Sequence, residues 1–207
     1  MYGPYPRFAN PLTQLDNTAK NPLGFVYSPP WGSYPNSAVF STTAGNSTKG
    51  YGAPPVFKYV YFYDSAALTG TAQIAPAPVY YIDESFTTVT PNAADAFFTV
   101  NGACVAGYWM PNTTSLGTSN TAAAWYLQFV QSYGWIQIGG FLPGALAPTT
   151  TTGAGVGVPI VGLTTGSWAS SSSASASVSK QLGVQFSAIA SGVCDVLVNG
   201  QSTFWGS

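Results

Sequence analysis

Histidine is absent from all 207 residues. That removes Ser-His-Asp and Cys-His nucleophile pairs, the commonest general base and the commonest zinc ligand. The remaining candidates are sparse. Asp83-Glu84 is the only adjacent acidic pair. On a strand its two side chains point to opposite faces, and in a turn both are solvated, so neither case gives a shared acid–base site. Asp64, Asp95 and Asp195 each stand alone and mark turns or edges. A glycosidase would need two of only six carboxylates brought together in space. No D-x-D run offers a calcium loop. Gly153-Ala154-Gly155-Val156-Gly157 has the glycine density of a phosphate cradle, but no Lys follows and no helix opens after it. It reads as a loop. The residues therefore predict no catalytic site, no metal, no cofactor and no enzyme.

The elements around these residues are strands. From Ala122 to Ala145 the chain reads AAAWYLQFVQSYGWIQIGGFLPGA. Trp125, Leu127 and Phe129 alternate with Tyr126, Gln128 and Val130, and after Gln131-Ser132-Tyr133-Gly134 the alternation resumes from Trp135 to Gly140. Period-two aromatic and β-branched patterning signals strands, and the short Gly-containing break predicts a hairpin turn. Apolar groups on both faces predict that this central hairpin is covered on both sides. Val56–Tyr63 is a strong strand; Val79–Ile82 and Phe86–Thr90 flank a turn at Asp83-Glu84-Ser85. Phe97–Val100 and Ala103–Met110 are joined by Asn101-Gly102, a favoured type I′ turn pair. VPIVGL, Leu182–Ala190 and Val193–Asn199 complete the set, with Thr149–Gly157 and Ser167–Ser179 as low-complexity loops. No 3.6-residue stripe appears. The expectation is an all-β fold, a compact barrel or sandwich of short antiparallel strands over residues 56–207.

Residues 1–55 differ. Prolines at 4, 6, 11, 22, 29, 30, 35, 54 and 55 exclude helix and interior strand. Aromatic residues interleave with them, whereas flexible tails are poor in aromatics. This segment is therefore expected to be an extended N-terminal arm docked on something. Two surfaces are open to it: a neighbouring subunit, the preferred reading, or its own domain. On the preferred reading Tyr2, Tyr5, Phe8, Phe25, Tyr27, Trp31 and Tyr34 are partner-binding anchors.

Charged residues make up only 5% of the chain, with a net charge of −1. Arg7, Lys20, Lys49, Lys58 and Lys180 are scattered, which excludes a basic nucleic-acid patch. No run reaches the roughly 18–20 apolar residues of a membrane span. The start MYGPYPRFANPL has no apolar signal region, so synthesis in a cytoplasm is expected, with Cys104 and Cys194 as buried free thiols. So little charge leaves copies free to pack densely.

A strand ending Gly107-Tyr108-Trp109 precedes Tyr133-Gly134-Trp135-Ile136-Gln137-Ile138-Gly139-Gly140. A Thr/Gly/Ser-rich stretch follows, then Leu182-Gly183-Val184-Gln185-Phe186 and a strand ending Val196-Leu197-Val198-Asn199-Gly200. Over roughly residues 97–200 this order resembles the small β-domain decoration, or cement, proteins of tailed-bacteriophage heads. The resemblance implies a virion protein on the capsid surface, assembled in a host cytoplasm, that bridges capsid subunits and stabilises the shell. It implies the major capsid protein and copies of itself, a trimer favoured, as partners. Another virion component (tail, collar or fibre base) and a non-viral glycan-binding β-sandwich are the alternatives.

Overall fold

The computed structural model describes residues 16–28, 55–63, 76–90, 95–99, 102–109, 132–147, 155–162, 168–170, 181–190 and 192–199. Among these residues the fold is all-β and holds no helix. The strands are β1 (Val26–Tyr27), β2 (Val56–Phe62), β3 (Ala77–Tyr81), β4 (Thr88–Thr90), β5 (Phe98–Thr99), β6 (Gly102–Ala103), β7 (Val105–Trp109), β8 (Ser132–Leu146), β9 (Pro159–Gly162), β10 (Trp168–Ser170), β11 (Gln181–Gln185) and β12 (Val193–Asn199). β5 and β6 form a separate two-stranded ribbon.

Five strands close into a barrel. β2, β4, β3, β7 and β8 are hydrogen-bonded in that order, and β8 pairs back with β2. All pairings are antiparallel except β2–β4, which is parallel. The interior is a single cluster: Val60 and Phe62 from β2, Val79 and Tyr81 from β3, Val89 from β4, Ala106 and Trp109 from β7, Ile136 and Ile138 from β8. Every barrel strand contributes, because alternate residues of a strand face one side. The other face of β2 and β8 carries Phe57, Tyr59 and Trp135, and Tyr108 projects from β7 into the same cluster. That second core is completed by Leu142 and Ala145 of β8, Ile160 of β9, and Cys194, Val196 and Val198 of β12.

β8 belongs to both cores. It runs fifteen residues, pairing with β2 from Ser132 to Gly139 and with β12 from Gly139 to Leu146. Gly139 stands opposite both Val56 and Asn199, so β2 and β12 lie on opposite edges. β12 thus continues the edge that β7 occupies at Ile136 and Gln137. Two glycines with positive φ, Gly140 at 84° and Gly144 at 62°, let this long strand turn. The register against β12 slips by one residue beside Pro143 and Gly144, a bulge where proline is tolerated. The turn brings the far end of β8 round to β3, where Leu146 N donates to Pro76 O at 2.8 Å.

Some turns expected from sequence lie elsewhere. Ser132, Tyr133 and Gly134 are strand residues, paired with Phe62, Tyr61 and Val60. The seven-residue partner β2 overrides the local turn signal, so Ser132–Gly134 form no hairpin turn. The first strand of that hairpin, Trp125–Val130, lies outside the described residues. Gly102 is likewise in a strand, opposite Thr99. β10 begins within the Ser/Ala run read as a loop, and β11 ends at Gln185 instead of reaching Ala190.

Candidate functional site: the strapped aromatic wall and the barrel mouth

The outer face of the β2–β8 pair is an aromatic wall. Tyr59 meets Trp135 edge-on at 5.1 Å between centroids and stacks near-parallel with Tyr133 at 6.5 Å. Tyr61 lies 5.1 Å from Tyr133. Cross-strand register places these rings together, since Tyr59 faces Trp135 and Tyr61 faces Tyr133.

Residues 16–28 strap this wall. At one end β1 pairs with β2, Tyr27 opposite Phe57. At the other end Asp16 and Tyr133 exchange two backbone hydrogen bonds of 2.8 Å each. Tyr133 has β2 on its other edge, so Asp16 grips the far edge of β8. The intervening residues therefore cross both strands. Midway, Lys20 N donates to the Tyr59 hydroxyl at 3.0 Å. Phe25 and Tyr27 set their rings edge-on to Trp135, at 6.2 and 6.4 Å. A tight turn aims them: Phe25 N bonds Pro22 O, and Gly24 has φ +81°. Burial pushes the Tyr59 phenol above its ordinary pKa, and Asp16 and Tyr133 push the same way.

Of the seven aromatic residues expected to anchor a partner, Phe25 and Tyr27 pack on the chain's own wall. Residues 16–28 thus lie against β2 and β8 of the same chain. Tyr2, Tyr5, Phe8, Trp31 and Tyr34 lie outside the described residues.

At one end of the barrel, Lys58 of β2 reaches across the mouth. Its ammonium donates to the Tyr81 hydroxyl at 3.1 Å and sits 5.0 Å from that ring's centroid. Tyr81 is also met edge-on by Phe86 at 5.3 Å. Phe86 is the only non-glycine among the described residues with positive φ, 53°. The preceding turn is tied by Asp83, whose carboxylate accepts from Ser85 N at 2.9 Å and from Ser85 Oγ. Burial holds the Lys58 pKa below its ordinary value.

No family model, no curated protein and no solved structure matches the chain.

The second core contains polar groups that sequence reading passed over. Gln137 and Gln185 are buried. Gln137 Nε2 donates to Gly139 O at 3.0 Å and Phe141 O at 3.1 Å, spanning the turn at Gly140. Gln185 Nε2 donates to Ser187 O at 2.8 Å where β11 ends. The Oε1 atom of each has no partner among the described residues. Tyr108 and Cys194 share this core. Burial drives the Tyr108 phenol well above its ordinary range, and burial plus Asp195 raises the Cys194 thiol to about 11. Neither Cys104, half-buried, nor Cys194, buried, is in a disulfide.

These features hold surfaces together and present one half-buried cation. Among the described residues no three His, Cys, Asp or Glu side chains gather as metal ligands. The signal for Lys58 was in the sequence: a lone lysine at a barrel-facing position of VFKYVYF.

Proposed function

We propose that this chain is a structural virion protein that binds the outer surface of a phage capsid and stabilises it by bridging capsid subunits. Its partners on this reading are the major capsid protein and further copies of itself, a trimer favoured. The reading is supported by one observation above the others: the stretches that resemble head decoration proteins fall on β7, β8, β12 and β11, four strands in successive hydrogen-bonded order. The likeness is then to one continuous sheet and not to scattered words. Low charge suits dense packing of many copies, because like-charged subunits would repel.

The test is imaging of assembled particles carrying a tagged copy of the chain. The expected result is label over the head surface, repeated at a regular set of shell positions. Label confined to tail, collar or fibre base overturns the head assignment in favour of another virion component. Binding of the isolated protein to a glycan array, with no label on particles, would favour a glycan-binding module.

A further inference from the structure

β1 ends the sheet order, so one of its edges has no strand beside it among the described residues. Val26 faces Lys58 in register, and Tyr59 N donates to Phe25 O at 2.9 Å. Bonded and non-bonded pairs alternate along an antiparallel ladder. A bond at the 25–59 pair makes 26–58 the non-bonded pair. The peptide N–H and C=O of Val26 therefore point away from β2, along the open edge.

Exposed apolar surface collects there. Leu23 is 42% exposed and Val26 45%, two of the four large hydrophobic residues that are exposed among the described residues. Lys58 shares the face of Val26. Its ammonium meets the hydroxyl and the ring of Tyr81, both neutral, and no carboxylate among the described residues pairs with it. Asp83, in the turn before Phe86, is occupied by Ser85. A half-buried ammonium with only neutral partners would gain a stronger, charge-assisted hydrogen bond from a carboxylate.

We propose that the open edge of β1 accepts an extended acidic segment of another protein as an added strand, its backbone bonding to Val26 and its carboxylate to Lys58. In strand addition the main chain supplies affinity and side-chain contacts supply selectivity. Here Leu23 and Val26 receive apolar side chains of the incoming strand, and Lys58 selects acid. The edge of a second copy is excluded as the ligand, because the strand sequence Gly24-Phe25-Val26-Tyr27-Ser28 carries no carboxylate. One cation also fits a single acidic side chain better than a polyphosphate. The proposal does not depend on the capsid reading, and a peptide tests it without particles.

The probe is the blocked peptide acetyl-Thr-Val-Glu-Val-Thr-amide, titrated into the isotope-labelled full chain and followed by NMR, with a Gln-for-Glu peptide beside it. Shifts are expected at Gly24–Ser28 and Lys58. Exchange of the Val26 amide should slow about tenfold when the peptide is at ten times its Kd. The Glu peptide should bind about tenfold tighter than the Gln peptide, and Lys58→Met should erase that preference while binding persists. Val26→Pro removes the outward donor and should weaken both peptides. Absence of shifts at Gly24–Ser28, equal binding of the two peptides, or a preference that survives Lys58→Met overturns the proposal.

Discussion

The barrel interior and the second core use the same kinds of strand and bury different things. Inside the barrel the lining is aliphatic and aromatic, with Tyr81 turning its hydroxyl to Lys58 at the mouth. The second core also takes in Gln137, Gln185, Tyr108 and Cys194. A closed ring of strands satisfies its own backbone, so its filling can be almost wholly apolar. The outer sheet must bend to cover the barrel, and each bend releases carbonyls that need a donor. Gln137 serves Gly139 and Phe141 at one bend, and Gln185 serves Ser187 at the other. The comparison teaches that buried glutamines mark where a strand changes direction.

The largest expected effect comes from emptying the barrel. Trp109, fully buried, should cost about 3–5 kcal/mol as Trp109→Ala. Because β8 belongs to both cores, circular dichroism and aromatic fluorescence should report one coincident urea transition. Two separated transitions would break the comparison by showing independent cores.

Next in size is the strap. Phe25→Ala with Tyr27→Ala removes two rings from Trp135 and should cost roughly 2–4 kcal/mol. In a chain of this size that lowers Tm by about 5–15 °C. An unchanged Tm would return these two residues to a partner-facing role.

Gln137→Leu should cost about 1–3 kcal/mol by leaving Gly139 O and Phe141 O without their donor. The loss is partly offset, since the unpartnered Oε1 disappears too. A stabilised variant, measured by urea midpoint, would show that the bend holds without the glutamine.

The smallest effect concerns pH. The Cys194 thiol is raised from 9.0 to about 11 in the folded chain. Its ionisation therefore favours the unfolded state: the contribution is neutral below about pH 9, and stability falls as pH rises towards 11. Raised tyrosines at 80, 81 and 108 push the same way at higher pH. Cys194→Ala should reduce the drop in urea midpoint between about pH 8 and pH 10.5. An equal drop in both proteins would show that other groups carry it.

Much of the fold is legible in period-two patterning. Val56–Phe62, Val193–Asn199 and the Asp83-Glu84-Ser85 turn stand where the residues place them. Two glycines inside expected strands serve close approach. A Cβ at Gly107 would stand 2.5 Å from Gln137 O, and one at Gly183 would overlap Leu197 O, so both mark strands pressed together. The docking of Phe25 and Tyr27 was one of two surfaces open from the sequence, because Pro and aromatic spacing states that a segment is docked and not on what. The buried Oε1 atoms of Gln137 and Gln185, which no donor among the described residues meets, have no local signature; only burial reveals them.

The sharing of β8 between the two cores has a consequence for birth on the ribosome. All five barrel strands are made once residue 146 has emerged, whereas β9 to β12 follow later. For that interval Tyr108, Leu142 and Ala145 form a sticky wall with its cover still to be translated. A nascent barrel with one greasy side is open to capture by chaperones or by sister chains on the same polysome. Slower translation of residues 147–199 would lengthen that window, so the yield of folded protein should depend on the synonymous codons chosen there as well as on the amino acids they encode.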